Sequence, residues 1–203
     1  MRISKKERTQ KDIIEAAKDI IHDKGHEAIT VRYLAEITGY SYTNLYYYFK
    51  DMNALLWSLR VDMIEDMITE LTSISITKDD PIEEILGAFF IYTNYFFKHP
   101  NVFRFFYFYP FIQPEGDDRN QKLEQKFQGI WQTSFFRLIQ EGVLQPEEVE
   151  VVAKTIIYAL QGMIMLSFSS NGSSNLEDIK GELVKLINYL FKKDKGNCKE
   201  VIL

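Results

Sequence analysis

An all-α chain of about nine helices is predicted by three observations. Apolar residues recur at helical spacing along nearly all 203 residues, strand-type alternation is almost absent, and the 5 prolines and six of the 10 glycines fall between periodic segments. No internal repeat or low-complexity tract breaks the pattern. A hydrophobic share of 46% with 26% charged residues supports a packed core rather than a disordered chain.

The elements follow in order. The first helix covers about Lys6 to Lys24, with Ile13, Ala17, Ile20 and Ile21 on one face and Gly25 closing it. The second covers Val31 to Thr38 behind Thr30 as N-cap, and the third is short, Tyr42 to Tyr48. The fourth starts near Asp51 and reaches about Ser73. Asp79-Asp80-Pro81 opens the fifth, where Ile82, Ile85, Phe89 and Phe96 keep helical spacing. His99-Pro100 breaks the chain before a sixth helix, about Asn101 to Tyr109, and Pro110 to Gly116 is a loop. A seventh, about Arg119 to Glu141, carries Leu123, Phe127, Trp131, Phe135 and Leu138 and stops at Gly142. Pro146-Glu147-Glu148 opens an eighth reaching about Phe168, Ser169 to Ser174 is a turn, and a ninth runs from about Leu176 to Phe191. The tail from Lys192 is expected to fray.

Ala35, Gly39 and Leu45 stand in the spacing A-x3-G-x5-L of a helix-turn-helix. A small Ala35 lets the second and third helices approach. Gly39 takes the positive φ of the turn without steric cost. Leu45 is expected beneath the third helix, fixing its angle. The N-terminal end of that helix then presents Tyr42, Thr43 and Asn44 toward base edges in a major groove. Asn44 suits adenine and the Thr43 methyl suits thymine. Tyr47 and Tyr48 hydroxyls, Lys50, Arg32 and the Thr30 cap are candidates for phosphate contact. Tyr46 and Phe49, three residues apart, are expected to face mainly the core.

The segment around this motif resembles the tetracycline-repressor (TetR) family of regulators. Ile14, Ala17, Gly25, Thr30, Val31, Leu34, Ala35, Gly39, Ser41, Leu45, Tyr46, Tyr48, Phe49, Lys50 and Leu55 match its pattern over about residues 8 to 56. Tyr40, Thr43, Met52 and Asn53 depart from it. The resemblance implies phosphate contacts by Tyr46, Tyr48 and Lys50, an effector cavity in the remaining helices, and a dimer built from the last two.

Net charge is −5 for the whole chain, which by itself speaks against a nucleic-acid binder. Its distribution points the other way: residues 1–60 are net +2 and residues 61–203 net −7. Arg2, Lys5, Lys6, Arg8 and Lys11 crowd the start, forming a basic arm able to meet phosphates flanking a groove.

Thirteen of 29 aromatic residues lie between Phe89 and Phe111, too many for one face of one helix. Phe89, Tyr92, Phe96, Phe105, Tyr109, Trp131 and Phe135 are the candidate lining of an effector pocket, with Tyr92, Asn94, Tyr109 and Gln161 as polar contacts. Such a lining fits a small apolar or aromatic effector. Helix eight is apolar on two faces and so needs two partners. Val152, Ile156, Leu160 and Met163 there, and Ile179, Leu183, Leu186 and Leu190 on helix nine, are the candidate dimer interface.

His22, His26 and His99 have no metal-ligand spacing with each other or with Cys198, and no catalytic or phosphate-loop motif is visible, so no enzyme activity, metal or cofactor is expected. Acidic pairs such as Glu83-Glu84 occupy first helical turns, where the helix dipole accounts for them. The single cysteine, the absence of a signal-peptide pattern and the lack of any stretch approaching a membrane span predict a cytoplasmic protein without membrane contact. The expectation is a homodimeric regulator with a DNA-binding domain at 1–50 and a ligand-binding and dimerisation domain at 51–203. It would act as a repressor released from a palindromic double-stranded DNA operator by its effector. The rival is a helical small-molecule-binding or enzymatic domain without sequence-specific DNA binding.

Overall fold

The computed structural model describes residues 4–74, 78–169, 172 and 174–191. Among them the chain forms nine α-helices and no strand: α1 (Lys5–Lys24), α2 (Val31–Thr38), α3 (Tyr42–Tyr48), α4 (Met52–Ser73), α5 (Pro81–Lys98), α6 (Pro100–Phe108), α7 (Arg119–Gln140), α8 (Val149–Ser167) and α9 (Leu176–Phe191). Two short 3-10 turns, His26–Ala28 and Pro146–Glu148, are added. The second delays α8 by three residues relative to the sequence expectation, because Glu148 folds back to accept the Gln145 backbone N–H at 2.9 Å and tightens the turn. The Ser169–Ser174 turn lies only partly within the described residues. Arg2 and the tail with Cys198 lie outside them.

Helix ends are set by their own side chains. Ser4 and Glu7 form a capping box on α1. Thr30 Oγ1 accepts the Tyr33 N–H, Ser41 Oγ accepts the Asn44 N–H, and Asp51 Oδ1 accepts the Ala54 N–H to start α4. Gly39 closes α2 at φ 70°, the left-handed conformation that an L side chain adopts only at a cost.

The chain divides into two compact units. The first comprises Met1–Ser73 with Tyr95–Gln128. Ile13, Ala17, Ile21, Leu34, Leu59 and Met63 are its fully buried aliphatic core, with Phe103 and Phe105 of α6 equally inaccessible. Lys18 of α1 is also buried, which a charge tolerates only when paired. Its ammonium contacts Asp62 and lies 2.5 Å from Asp66, both on α4, and 3.2 Å from Glu15. The Asn101 side-chain amide of α6 donates to the His22 carbonyl at 3.0 Å, tying α6 to the last turn of α1.

In the same unit the loop between α6 and α7 clasps α4. Asn53 donates to the Ile112 carbonyl at 2.8 Å and accepts the Ile112 N–H at 3.3 Å. Trp57 Nε1 donates to Asp117 at 2.9 Å, and Asp117 also accepts from Arg119 at 2.6 Å. These donors, Arg119 first, hold the Asp117 carboxyl down at about 2. Beneath the loop Trp57, Val61, Ile68 and Leu123 form a buried apolar cluster with Ile64, Phe111 and Phe127 packed on it.

The second unit comprises Ile74–Asn94 with Gly129–Leu203. Ile156, Leu160 and Ile164 of α8 and Ile179, Leu183 and Ile187 of α9 are essentially inaccessible, and the two helices pack on each other. Arg137 of α7 gathers the start of α5: it binds the Lys78 carbonyl at 3.0 Å, the Asp79 carbonyl, and the Glu84 carboxylate at 2.9 Å.

One expectation is corrected. The stretch Pro146–Ser167, containing α8, holds an 18-residue window of mean hydropathy 1.5 and is long and apolar enough to cross a membrane by length and composition. Its charges are confined to its N-terminal half, Glu147, Glu148, Glu150 and Lys154, which leaves an uncharged run from Thr155 to Ser167. Burial of one of its faces against α9 accounts for part of that apolar character.

Two outcomes test this packing. Leu45→Ala, which empties a site only 3% exposed, is expected to cost about 2–5 kcal/mol in denaturant unfolding. The Asp117 carboxylate stabilises the fold above its ordinary value of 3.8, and that contribution is lost as pH falls from there to about 2. Asp117→Asn is therefore expected to lower the melting temperature at neutral pH by the equivalent of about 1 kcal/mol. The gap between variant and wild type should narrow from about pH 4 downward and close only near pH 2. A constant gap across that range would remove the carboxylate from the clasp.

Candidate nucleic-acid interface

The face that carries α3 is built by backbone economy. Leu45 points inward and is 3% exposed, and Phe49 is buried at the helix end. With these two committed inward, the remaining side chains of the short helix turn outward. Tyr42 is 51% and Tyr47 68% exposed, large aromatic surfaces for a chain to leave in water. Thr43, Asn44 and Lys50 are exposed, Tyr48 is half-buried, and on α2 Thr30 and Arg32 are exposed.

Tyr46 departs from the core position expected for it. It is 51% exposed, because a seven-residue helix has only one inward line, and Leu45 and Phe49, four apart, already fill it. Its ring borders a shallow groove with Leu34, Leu45, Phe49 and Leu55. That leaves its outer edge beside Tyr42 and Tyr47 on the accessible side of α3.

The basic start of the chain joins the same face. Lys6 Nζ stands 5.5 Å from the centre of the Tyr47 ring, and Tyr47 and Tyr48 meet edge to face at 5.1 Å. Gln10 donates to the Tyr48 carbonyl at 3.1 Å, fixing the end of α3 against α1. Lys5, Lys6, Arg8 and Lys11 are exposed, while the one acid among them, Glu7, is turned back onto the Ser4 cap. Lys24 pairs with the Tyr33 hydroxyl and lies 4.6 Å from its ring, a further exposed cation beside α2. Tyr33 joins the candidate set only through the structure, as does the placement of Lys6 of the basic arm on Tyr47. The sequence places them on other helices, and nothing local marks their proximity.

Among the described residues no group of three His, Cys, Asp or Glu side chains is positioned to hold a metal ion. His22 meets His99, not His26, with ring centres 4.9 Å apart, and burial lowers the pKa of both imidazoles. His26 instead packs its ring edge-on against Tyr109 at 5.5 Å.

The candidate effector residues fall into two sets. In the first unit Phe96, Phe105 and Tyr109 pack into a network with Phe103, Phe106 and Phe111, such as Phe105 to Phe111 at 5.0 Å. In the second, Phe89 stacks on Trp131 at 5.2 Å, Phe135 meets Phe191 at 6.2 Å, and the Gln161 amide donates to the Tyr92 hydroxyl at 3.4 Å. Asn94 is exposed and contributes to neither set.

The candidate dimer residues need a correction. Ile156, Leu160, Ile179 and Leu183 are buried within one chain, in which α8 and α9 pack on each other. A second copy cannot reach them. Val152, Met163, Leu186 and Leu190 are half-buried. The apolar surface left outside is a different stripe of α8, Val151, Tyr158 and Met165 at seven-residue intervals with Leu166 beside them, and Tyr189 on α9. Periodicity showed that α8 has two apolar faces. It carried no information about which one α9 takes.

Comparison with known proteins agrees with this geometry. Residues 13–59 match the family described as bacterial regulatory proteins, tetR family. No curated protein matches the chain. A tetR-family transcriptional regulator from Streptomyces coelicolor superposes with a TM-score of 0.68 at 15% identity, over 94% of this chain and 82% of that one. RolR in complex with resorcinol gives 0.66 at 15% identity over 97% and 99%. The TetR-family repressor FadR of Thermus thermophilus in complex with lauroyl-CoA gives 0.63 at 13% over 94% and 99%. At these identities the likeness establishes the fold. Exposed tyrosines on a short helix after a left-handed glycine turn, and the family match across α1 to the start of α4, lead to one conclusion: residues 13–59 are similar to the tetR family of bacterial regulatory proteins, and the chain has the fold seen in the TetR-family structures.

Proposed function

We propose that the chain is an effector-responsive, homodimeric repressor that binds a palindromic operator in double-stranded DNA, acts in the cytoplasm and is not an enzyme. The observation that carries this reading is the outward set of Tyr42, Tyr46 and Tyr47 on α3 with Lys6 drawn onto Tyr47. Residues 1–50 serve as the DNA-binding domain and 51–203 as the effector-binding and dimerisation domain.

Tyr42, Thr43 and Asn44 read base edges, and Thr30, Arg32, Tyr46, Tyr47, Tyr48 and Lys50 position the head on phosphates. A head of net +2 supplies few phosphate contacts, and two heads on successive grooves, about 34–36 Å apart, compensate for that. The exposed stripe of Val151, Tyr158 and Met165 is the surface through which two copies join. An apolar or aromatic effector among the ring-rich helices shifts the balance between DNA-competent and incompetent head spacings. That RolR binds resorcinol and FadR binds lauroyl-CoA supports an effector of apolar character.

Selection from random duplexes by the purified protein is expected to return a two-fold symmetric consensus. A consensus without symmetry, or none, overturns the reading. On the selected site, affinity should fall linearly with the logarithm of salt concentration. Tyr47→Ala should weaken it at least about tenfold while changing unfolding free energy by less than about 0.5 kcal/mol, because the side chain is exposed. Tyr158→Glu, which sets a charge in the proposed joint, should elute as a monomer in gel filtration and lose operator affinity with it.

A further inference from the structure

Arg60 of α4 is a half-buried cation that no carboxylate answers at close range among the described residues. Its guanidinium carbon lies 5.5 Å from the Trp57 ring and 5.2 Å from the Phe111 ring. Nη1 donates to Asn120 Oδ1 at 2.6 Å, and Nε is buried without a hydrogen-bond partner among the described residues. Other acids of α4 and of the α6–α7 loop are committed elsewhere. Asp62 and Asp66 hold Lys18, Glu65 holds Lys126 at 2.6 Å, and Asp117 holds Arg119 at 2.6 Å. Glu124 attracts Arg60 only at a distance, its carboxylate engaged by the Asn120 amide at 2.9 Å.

A guanidinium is expensive to bury and is usually met by a carboxylate. Burial here lowers the Arg60 pKa from its ordinary value, the sign of an environment that does not welcome the charge. An unmatched cation beside apolar side chains is the arrangement that recognises an amphipathic acid. Nε, buried and without a hydrogen-bond partner among the described residues, together with an adjacent Nη is the geometry that accepts a carboxylate in a two-point contact. Trp57, Val61, Ile64, Leu123 and Phe127 lie together beside it as a wall for an apolar body.

We propose that Arg60 is an anion subsite that takes the carboxylate of a small apolar or arylalkyl acid, whose hydrocarbon part lies on the cluster of Trp57, Ile64 and Phe127. This deepens, and rests on, the reading of the chain as an effector-responsive regulator, and it narrows the effector from an apolar molecule to an apolar acid. Because Nε has no exposed surface, the acid reaches it by displacing the Phe111 ring. Phe111 belongs to the loop that clasps Asn53 and Trp57, so occupancy of the subsite acts on α4 close to where the recognition helix joins it.

The test is calorimetry on the full chain with two acids, 4-phenylbutanoate and decanoate, each against its own methyl ester. The ester keeps the shape and removes the charge. At least one acid is expected to bind about tenfold or more tightly than its ester. Arg60→Gln should abolish that preference while leaving the weak binding of the ester, and Arg60→Lys, which keeps a charge but not the planar fork, should fall between. Equal binding of acid and ester, no binding of either acid, or a preference that survives in Arg60→Gln overturns the proposal. Should Arg60→Gln fail to fold by circular dichroism, the acid–ester comparison in the wild type and in Arg60→Lys decides. Operator binding is read separately in the same samples. An Arg60-dependent acid that leaves DNA affinity unchanged upholds the subsite and overturns the effector reading, so the two failures are distinguishable.

Discussion

Only Phe49, Lys50 and Asp51 separate α3 from α4, and that short connection fixes one helix against the other. Phe49 is buried and Asp51 caps α4, so neither end of the connection is free to swivel. Whatever orientation α4 takes, α3 takes with it. Lys18 extends the constraint to α1. A buried ammonium cannot give up its carboxylates without a large desolvation cost, and Asp62 and Asp66 both belong to α4. The helices α1, α3 and α4 therefore behave as one lever, with the outward tyrosines at its tip.

The other hold on α4 is of a different kind. The α6–α7 loop grips Asn53 and Trp57 through hydrogen bonds at its accessible edge, over an apolar cluster. Hydrogen bonds of this sort contribute modestly to net stability and break locally. The two holds divide the labour. The ion pairs bind α1 to α4, and the loop contacts hold the first turns of α4. Helix α6 bears on the same lever through Asn101 and the last turn of α1.

Most of the architecture was legible in the sequence because helix ends are written locally. Thr30, Ser41, Asp51 and Gly39 each signal a boundary with their own chemistry, and α2, α3 and α9 fall where those signals and the apolar period place them. The outward side of α3 was readable for the same reason, since a motif spacing specifies which side of a short helix is inward. What required the fold was partnership across distance. The grip of Ile112 on Asn53 spans 59 residues, and Asn53 stood out in the sequence only as a departure from a family pattern. The choice between the two apolar faces of α8 also escaped periodicity, because hydrophobicity records that a face is covered and not by what. Tyr46 shows the limit of spacing arguments on very short helices, where one inward line leaves no room for a second aromatic.

The reciprocal pair of hydrogen bonds between the Asn53 amide and the Ile112 backbone copies what a neighbouring strand would offer. A side chain thus fixes the loop at one residue of its length, and Asp117 fixes it again through Trp57. Between these two pins lie Gln113 to Gly116, outside any helix. Over evolutionary time, insertions and deletions should collect in that short window and spare its borders, because loop length costs little once the ends are held. Divergence within such a lineage would then leave the two pins in register on α4 while the span between them varies in size.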